Sequence, residues 1–119
     1  MSFLSRLFKR RKPSGRNVVV FNGDKIVRTL PDGRLESVRW DDLQKVEIMT
    51  TDEGPFAEDV YWMLKGVTGG CAIPSQAQGM KELLSRLQQL PGFKNEVVIK
   101  AMASANNATF LCWSRGNAL

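Results

Sequence analysis

The sequence predicts an α+β domain: a mostly antiparallel meander sheet of six or seven strands, one amphipathic helix over about residues 76–90 packed on one face, and a second short helix over about 95–103. Three observations carry this prediction. Runs of period-two alternation fill residues 17–74 and are separated by recognisable turn chemistry. A stretch of helical period follows them. A final apolar run, ATFLCW, then returns to strand character.

The elements follow in order. NVVVF leads into Asn22-Gly23, a strong hairpin signal, and on to DKIVRTL, where Ile26, Arg28 and Leu30 alternate in face with Lys25, Val27 and Thr29. Pro31-Asp32-Gly33 is a second turn, leading to RLESVRW, where Leu35, Ser37 and Arg39 alternate with Glu36, Val38 and Trp40. Asp41-Asp42 interrupts the pattern as a turn whose side chains suit backbone capping. QKVEIMTT resumes it, with Val46 and Ile48 on one face. DVYWMLKGV is the most apolar strand, Thr68-Gly69-Gly70 turns the chain, and CAIP closes the meander.

Ser75 with Gln78 fits a capping box, Met80, Leu83, Leu84, Leu87 and Leu90 form an apolar stripe, and Pro91-Gly92 stops the helix. In the second helix Val98, Ile99 and Met102 are expected to face inward.

Charge divides the chain. Of 17 basic residues, Arg6, Lys9, Arg10, Arg11, Lys12 and Arg16 fall in the first 16 positions, which hold no acid. The other 103 residues keep 11 bases against 12 acids, so the net +5 of the chain belongs to this segment. Within it Phe3, Leu4, Leu7 and Phe8 share one face of a short helix, and KPSG at 12–15 breaks it. The organisation expected is a basic amphipathic tail over 1–16 and one α+β domain over 17–119.

Several function classes are disfavoured. The chain has no histidine, the commonest general base and zinc ligand. Cys71 and Cys112 form no C-x-x-C pattern and sit among Ile73, Leu111 and Trp113, so both read as reduced, buried packing residues of a cytosolic protein. GVTGGC lacks the lysine and the following helix of a phosphate loop, and reads as a hairpin turn. No apolar run approaches the roughly 18 residues of a spanning helix. The basic cluster is followed by PSGRN instead of an apolar segment, against an export signal. No catalytic residue, cofactor or metal ligand is assigned.

Two surfaces are candidates for binding. Phe3, Leu4, Arg6, Leu7, Phe8, Lys9, Arg10, Arg11 and Lys12 suit an anionic membrane surface, since a purely phosphate-binding arm has no use for two phenylalanines. Nucleic acid is correspondingly disfavoured. Asp52, Glu53, Glu58 and Asp59 around Phe56 suit a basic protein partner, and their spacing does not match a calcium loop. Of Tyr61 and Trp62, on opposite faces of one strand, one belongs in the core, and the other leaves an aromatic patch for a partner or a second copy of the chain.

LESVRWDDLQKVEIMTTD resembles the strand, tryptophan-turn, strand unit of small bacterial pleckstrin-homology-like and GRAM-like domains, a resemblance extending over roughly residues 17–90. It implies a meander followed by an amphipathic helix; NEVVIKAM and ATFLCW depart from that pattern. GPFAEDVYWML, GGCAIP, LPGFKNEVVIKAMAS and FLCW resemble a family of small, uncharacterised proteins from Gram-negative bacteria. That resemblance implies a bacterial single-domain protein and transfers no site. The expected function is a non-enzymatic interaction or adaptor module of the cytoplasm, held at the inner membrane surface by its N-terminal segment. The alternative is an immunity-type or inhibitor protein that binds a basic partner through the 52–59 loop.

Overall fold

The computed structural model describes residues 16–52 and 60–116. All seven expected strands form: β1 (Val18–Phe21), β2 (Lys25–Thr29), β3 (Leu35–Arg39), β4 (Leu43–Thr50), β5 (Val60–Gly66), β6 (Gly70–Pro74) and β7 (Ala108–Ser114). The helices are α1 (Met80–Leu87) and α2 (Asn95–Met102). The fold is α+β, and its strands are antiparallel throughout, divided between a sheet ordered β1-β2-β3 and a sheet ordered β6-β5-β4-β7.

The division falls at Asp41-Asp42. A 3-10 turn over Trp40–Asp42 carries the chain from the first sheet to the second. Its carboxylates provide no side-chain cap, contrary to expectation; backbone and tryptophan atoms hold the corner instead. Trp40 donates its amide to Asp24 O and its indole N–H to Asn22 O, while Val67 donates to Asp42 O. Arg115 clamps the far side, donating to Leu43 O at 2.7 Å and Trp40 O at 2.8 Å.

The β1–β2 hairpin is displaced by one residue from the expected Asn22-Gly23 turn. Asn22 donates its amide to Lys25 O, which makes Gly23-Asp24 the central pair. The Asn22 side chain accepts the amides of Asp24 and Lys25. This Asx-type turn frees the Asn22 carbonyl for Trp40.

Helix α1 begins at Met80, four residues later than expected. The Ser75/Gln78 capping box does not form: the N-cap is Gly79, with no side-chain cap. Competition from β1 explains this. Val19 donates to Gln78 O and Gln78 to Asn17 O, drawing Gln78 alongside the strand in a parallel bridge with Val18. Gly79, at φ +92°, then turns the chain into the helix, where a side chain is disfavoured. The apolar stripe behaves as read: Met80, Leu83 and Leu87 are buried, and Leu84 and Leu90 pack against the core.

Helix α2 is rotated from expectation. Ala101 is fully buried and Val97 and Val98 pack on the core, whereas Ile99 and Met102 are 71% and 48% exposed. Its start is fixed by the Lys94 amide donating to Cys112 O on β7, and α2 contacts β7 and β4. A small Ala101 permits the close approach that a methionine would prevent.

One core cluster joins the sheets and helices: Val19, Ile26 and Val38 from the first sheet, Val46, Ile48, Trp62, Leu64 and Ile73 from the second, with α1 and Trp113 closing it. Arg28 is buried in the same interface, 9% exposed. Its Nη1 lies 3.1 Å from Glu36 Oε1 and also donates to Ala72 O, while Nε and Nη2 donate to Asn17 Oδ1. Glu36 Oε1 accepts the Ala72 amide at 3.0 Å. Because Trp62 and Ile73 form a bonded pair by alternation from the Gly66/Gly69 hairpin end, Ala72 turns both backbone groups away from β5. The Arg28–Glu36 pair thus completes the β6 edge as a neighbouring strand would.

Candidate interaction surfaces

The candidate binding surfaces divide by location. Phe3, Leu4, Arg6, Leu7, Phe8, Lys9, Arg10, Arg11 and Lys12 lie outside the described residues, as do Glu53, Phe56, Glu58 and Asp59. Arg16 is described, exposed, and borders a groove lined with Asn17, Pro74, Gln76, Ala77 and Gln78, so the basic segment joins the domain beside β1.

Of the acidic loop, Asp52 is described. Its amide donates to Asn107 Oδ1, and Thr50 donates its hydroxyl to Asn106 O at 2.6 Å. The base of the loop is therefore stitched to the connection between α2 and β7. Among the described residues, no group of three acidic or thiol side chains converges as a metal site would require, and no helix is long and apolar enough to cross a membrane.

Both cysteines are free and buried. Cys71 lies between the sheets, its sulfur 3.9 Å from Ile26 O. Burial, reinforced by the Glu36 carboxylate, pushes its thiol up from 9.0 to about 12; burial and Glu47 push Cys112 up to about 11. Neither is a thiolate near neutrality, which removes the species a nucleophile needs. The native protein is expected to resist an aqueous thiol reagent at mildly alkaline pH, with two thiols reacting after denaturation. A fast native reaction of either cysteine would contradict this burial.

The same shift predicts a pH effect. The unfolded chain releases the Cys71 proton near pH 9 while the folded chain keeps it toward pH 12, so stability contributed by the neutral thiol is lost as pH rises between these values. Alkaline destabilisation should accordingly be smaller in Cys71→Ala than in the parent, as read by urea melts on either side of pH 9.

The glycine-rich GVTGGC is a hairpin turn, closed by Gly66 donating to Gly69 O at 2.7 Å. Trp40, Trp62 and Trp113 are all buried. Arg86 lies over the Trp40 ring at 4.5 Å, Phe21 meets it edge-on, and the Trp113 indole donates to Pro91 O. Of the pair on β5, Trp62 enters the core and Tyr61 remains half-buried on the opposite face.

Two sheet faces therefore point away from the core. On the second sheet, strand register places Tyr61 beside Met49, and Met63 beside Glu47, which in turn faces Leu111. Glu47 there pairs with Lys65 at 2.8 Å. On the first sheet, Val18, Val20, Lys25, Val27, Thr29, Leu35, Ser37 and Arg39 share the outward face. Alternation groups Lys25, Val27 and Thr29 on one face and Leu35, Ser37 and Arg39 on one face, without showing which phase is outward and without separating Val18 and Val20. Arg28 and Glu36 were passed over as well; their signal was a charged residue in the core phase of each of two neighbouring strands.

The fold and these surfaces define a small two-sheet α+β protein. No protein-family model, curated protein or solved structure matches the chain.

Proposed function

We propose that the protein is a non-enzymatic interaction module, attached at the inner surface of a bacterial membrane through its basic N-terminal segment. The observation that carries this reading is the segregation of charge: six bases and no acid in the first 16 residues, against a net of −1 in the remainder. Electrostatic attraction to an anionic surface then acts on one end of the molecule.

Each Lys or Arg close to an anionic leaflet contributes about 1 kcal/mol, and partial insertion of Phe3, Leu4, Leu7 and Phe8 adds a comparable total. Nine residues are too short to hold a helix in water, so the segment would acquire its amphipathic form at the interface. Attachment of this kind is weak, reversible and screened by salt.

Co-sedimentation with vesicles tests it. The full chain is expected to pellet with mixed phosphatidylglycerol and phosphatidylcholine vesicles at low ionic strength, to be released as salt is added, and to ignore pure phosphatidylcholine. Equal binding to both vesicle types would overturn the electrostatic basis.

A further inference from the structure

We propose that the outward face of the β1-β2-β3 sheet is a second contact surface for the same anionic bilayer, lying flat against the lipid headgroups beside the N-terminal segment. The inference deepens the membrane reading and rests on it. It begins from Lys25 and Arg39, which are direct cross-strand partners in the β2–β3 register. Partners opposed in this way project on the same face with Cβ atoms about 5 Å apart, and like charges there repel.

Neither cation is in an ion pair with any described residue; the ion pairs among these residues are Arg28–Glu36, Arg34–Asp32 and Lys65–Glu47. None of the eight residues of the face is acidic; Glu82 borders Val18 and Val20 at the β1 edge, and Asp42 borders Ser37 and Arg39 at the β3 edge. Asp24 belongs to the turn before β2, and Asp32 is engaged by Arg34 at 2.7 Å. An anionic partner would relieve the repulsion.

The rest of the face favours a bilayer as that partner. Val20 and Leu35 are 58% and 67% exposed; Val20 and Val27 stand in the row next to the two cations, and Val18 and Leu35 in the row beyond it. Apolar side chains interleaved with unpaired cations match a headgroup boundary, where both find partners. None of the eight residues on the face is aromatic, so a nucleic-acid strand would find no stacking platform.

Position supplies the last argument. The basic segment ends at Arg16, two residues before β1. A segment lying on a membrane would bring this edge of the first sheet to the same surface; the outward face of the other sheet also opposes two cations, Lys45 and Lys65, but there Glu47 pairs with Lys65 at 2.8 Å.

The test uses the full chain and mixed phosphatidylglycerol and phosphatidylcholine vesicles. Lys25→Gln with Arg39→Gln should weaken binding by about 25-fold, from roughly fivefold per base removed at the surface. Lys45→Gln with Lys100→Gln removes the same charge from exposed positions elsewhere and should change binding less than about twofold. All four side chains are exposed, and unchanged thermal melts would confirm that the variants fold.

Equal losses in the two double variants would reduce the effect to net charge and overturn the proposal. Unchanged binding of the Lys25/Arg39 variant, with binding lost on deleting residues 2–12, would overturn this face while leaving the N-terminal tether standing. The reverse pattern would sustain the face and overturn the tether. Duplex DNA binding as tightly as vesicles, and lost in the same variant, would overturn the lipid as occupant.

Discussion

Arg28→Met is expected to destabilise the folded chain by about 3 kcal/mol, read as a lower urea midpoint with an unchanged slope. Arg28 is the most buried charge among the described residues, and its guanidinium donates to three acceptors: Asn17 Oδ1, Glu36 Oε1 and the Ala72 carbonyl. A methionine fills much of the space but donates nothing. The Ala72 carbonyl and the Asn17 amide oxygen then lose their donor, and the Glu36 carboxylate keeps only the Ala72 amide. Leaving such groups unpaired costs more than the intact pair contributes. Because the Glu36 side chain is 33% exposed, water would compensate it in part, which places the estimate at the low end for a broken buried pair. Adding Glu36→Leu should recover part of the loss. A single-variant cost below about 1 kcal/mol would show that the two sheets are not joined through this pair.

Gly79→Ala is expected to cost about 3 kcal/mol, through two effects that a second variant separates. The φ of +92° disfavours any side chain by about 1 kcal/mol. In addition, a Cβ would stand 2.2 Å from the Val19 carbonyl oxygen, so β1 and the start of α1 would have to move apart. That movement loosens the Val19–Gln78 and Gln78–Asn17 bonds, each worth about 1 kcal/mol. Gly92 has a similar φ of +84° with nothing within 4 Å of its added Cβ. Gly92→Ala should therefore show the conformational cost alone, about 1 kcal/mol. Equal costs at the two positions would contradict the close approach at Gly79.

These two residues also mark where the sequence was readable and where it was not. Strand positions were legible because alternation and turn residues act over a few neighbours; every strand formed within a residue or two of its expected place. The start of α1 was misplaced because the Ser75/Gln78 pattern is local while the bond between Gln78 and Val19 spans 59 positions of sequence. Local chemistry offered a cap, and a distant strand took the residue.

The rotation of α2 has a similar cause. Val98, Ile99 and Met102 make the more apolar stripe, yet the Lys94 bond to Cys112 and the tight fit of Ala101 orient the helix otherwise. The split of the meander into two sheets shows in the sequence only as an interruption of alternation at Asp41-Asp42. Of the candidate surfaces, the shared face of Lys25 with Val27 and of Leu35 with Arg39 was legible from alternation, whereas which phase points outward depends on packing, and the opposition of Lys25 to Arg39 on register across the β2–β3 turn.

The central claim is that attachment resides in the basic segment. Its most direct test compares vesicle binding of the full chain with that of a chain lacking residues 2–12, across a salt series on phosphatidylglycerol-containing vesicles. The deletion removes five bases and all four apolar side chains of the stripe. The expected result is salt-sensitive binding by the full chain and binding by the deletion weaker by about three thousandfold, from roughly fivefold for each of five surface charges. Equal binding by the two chains, with the same dependence on salt, would contradict it.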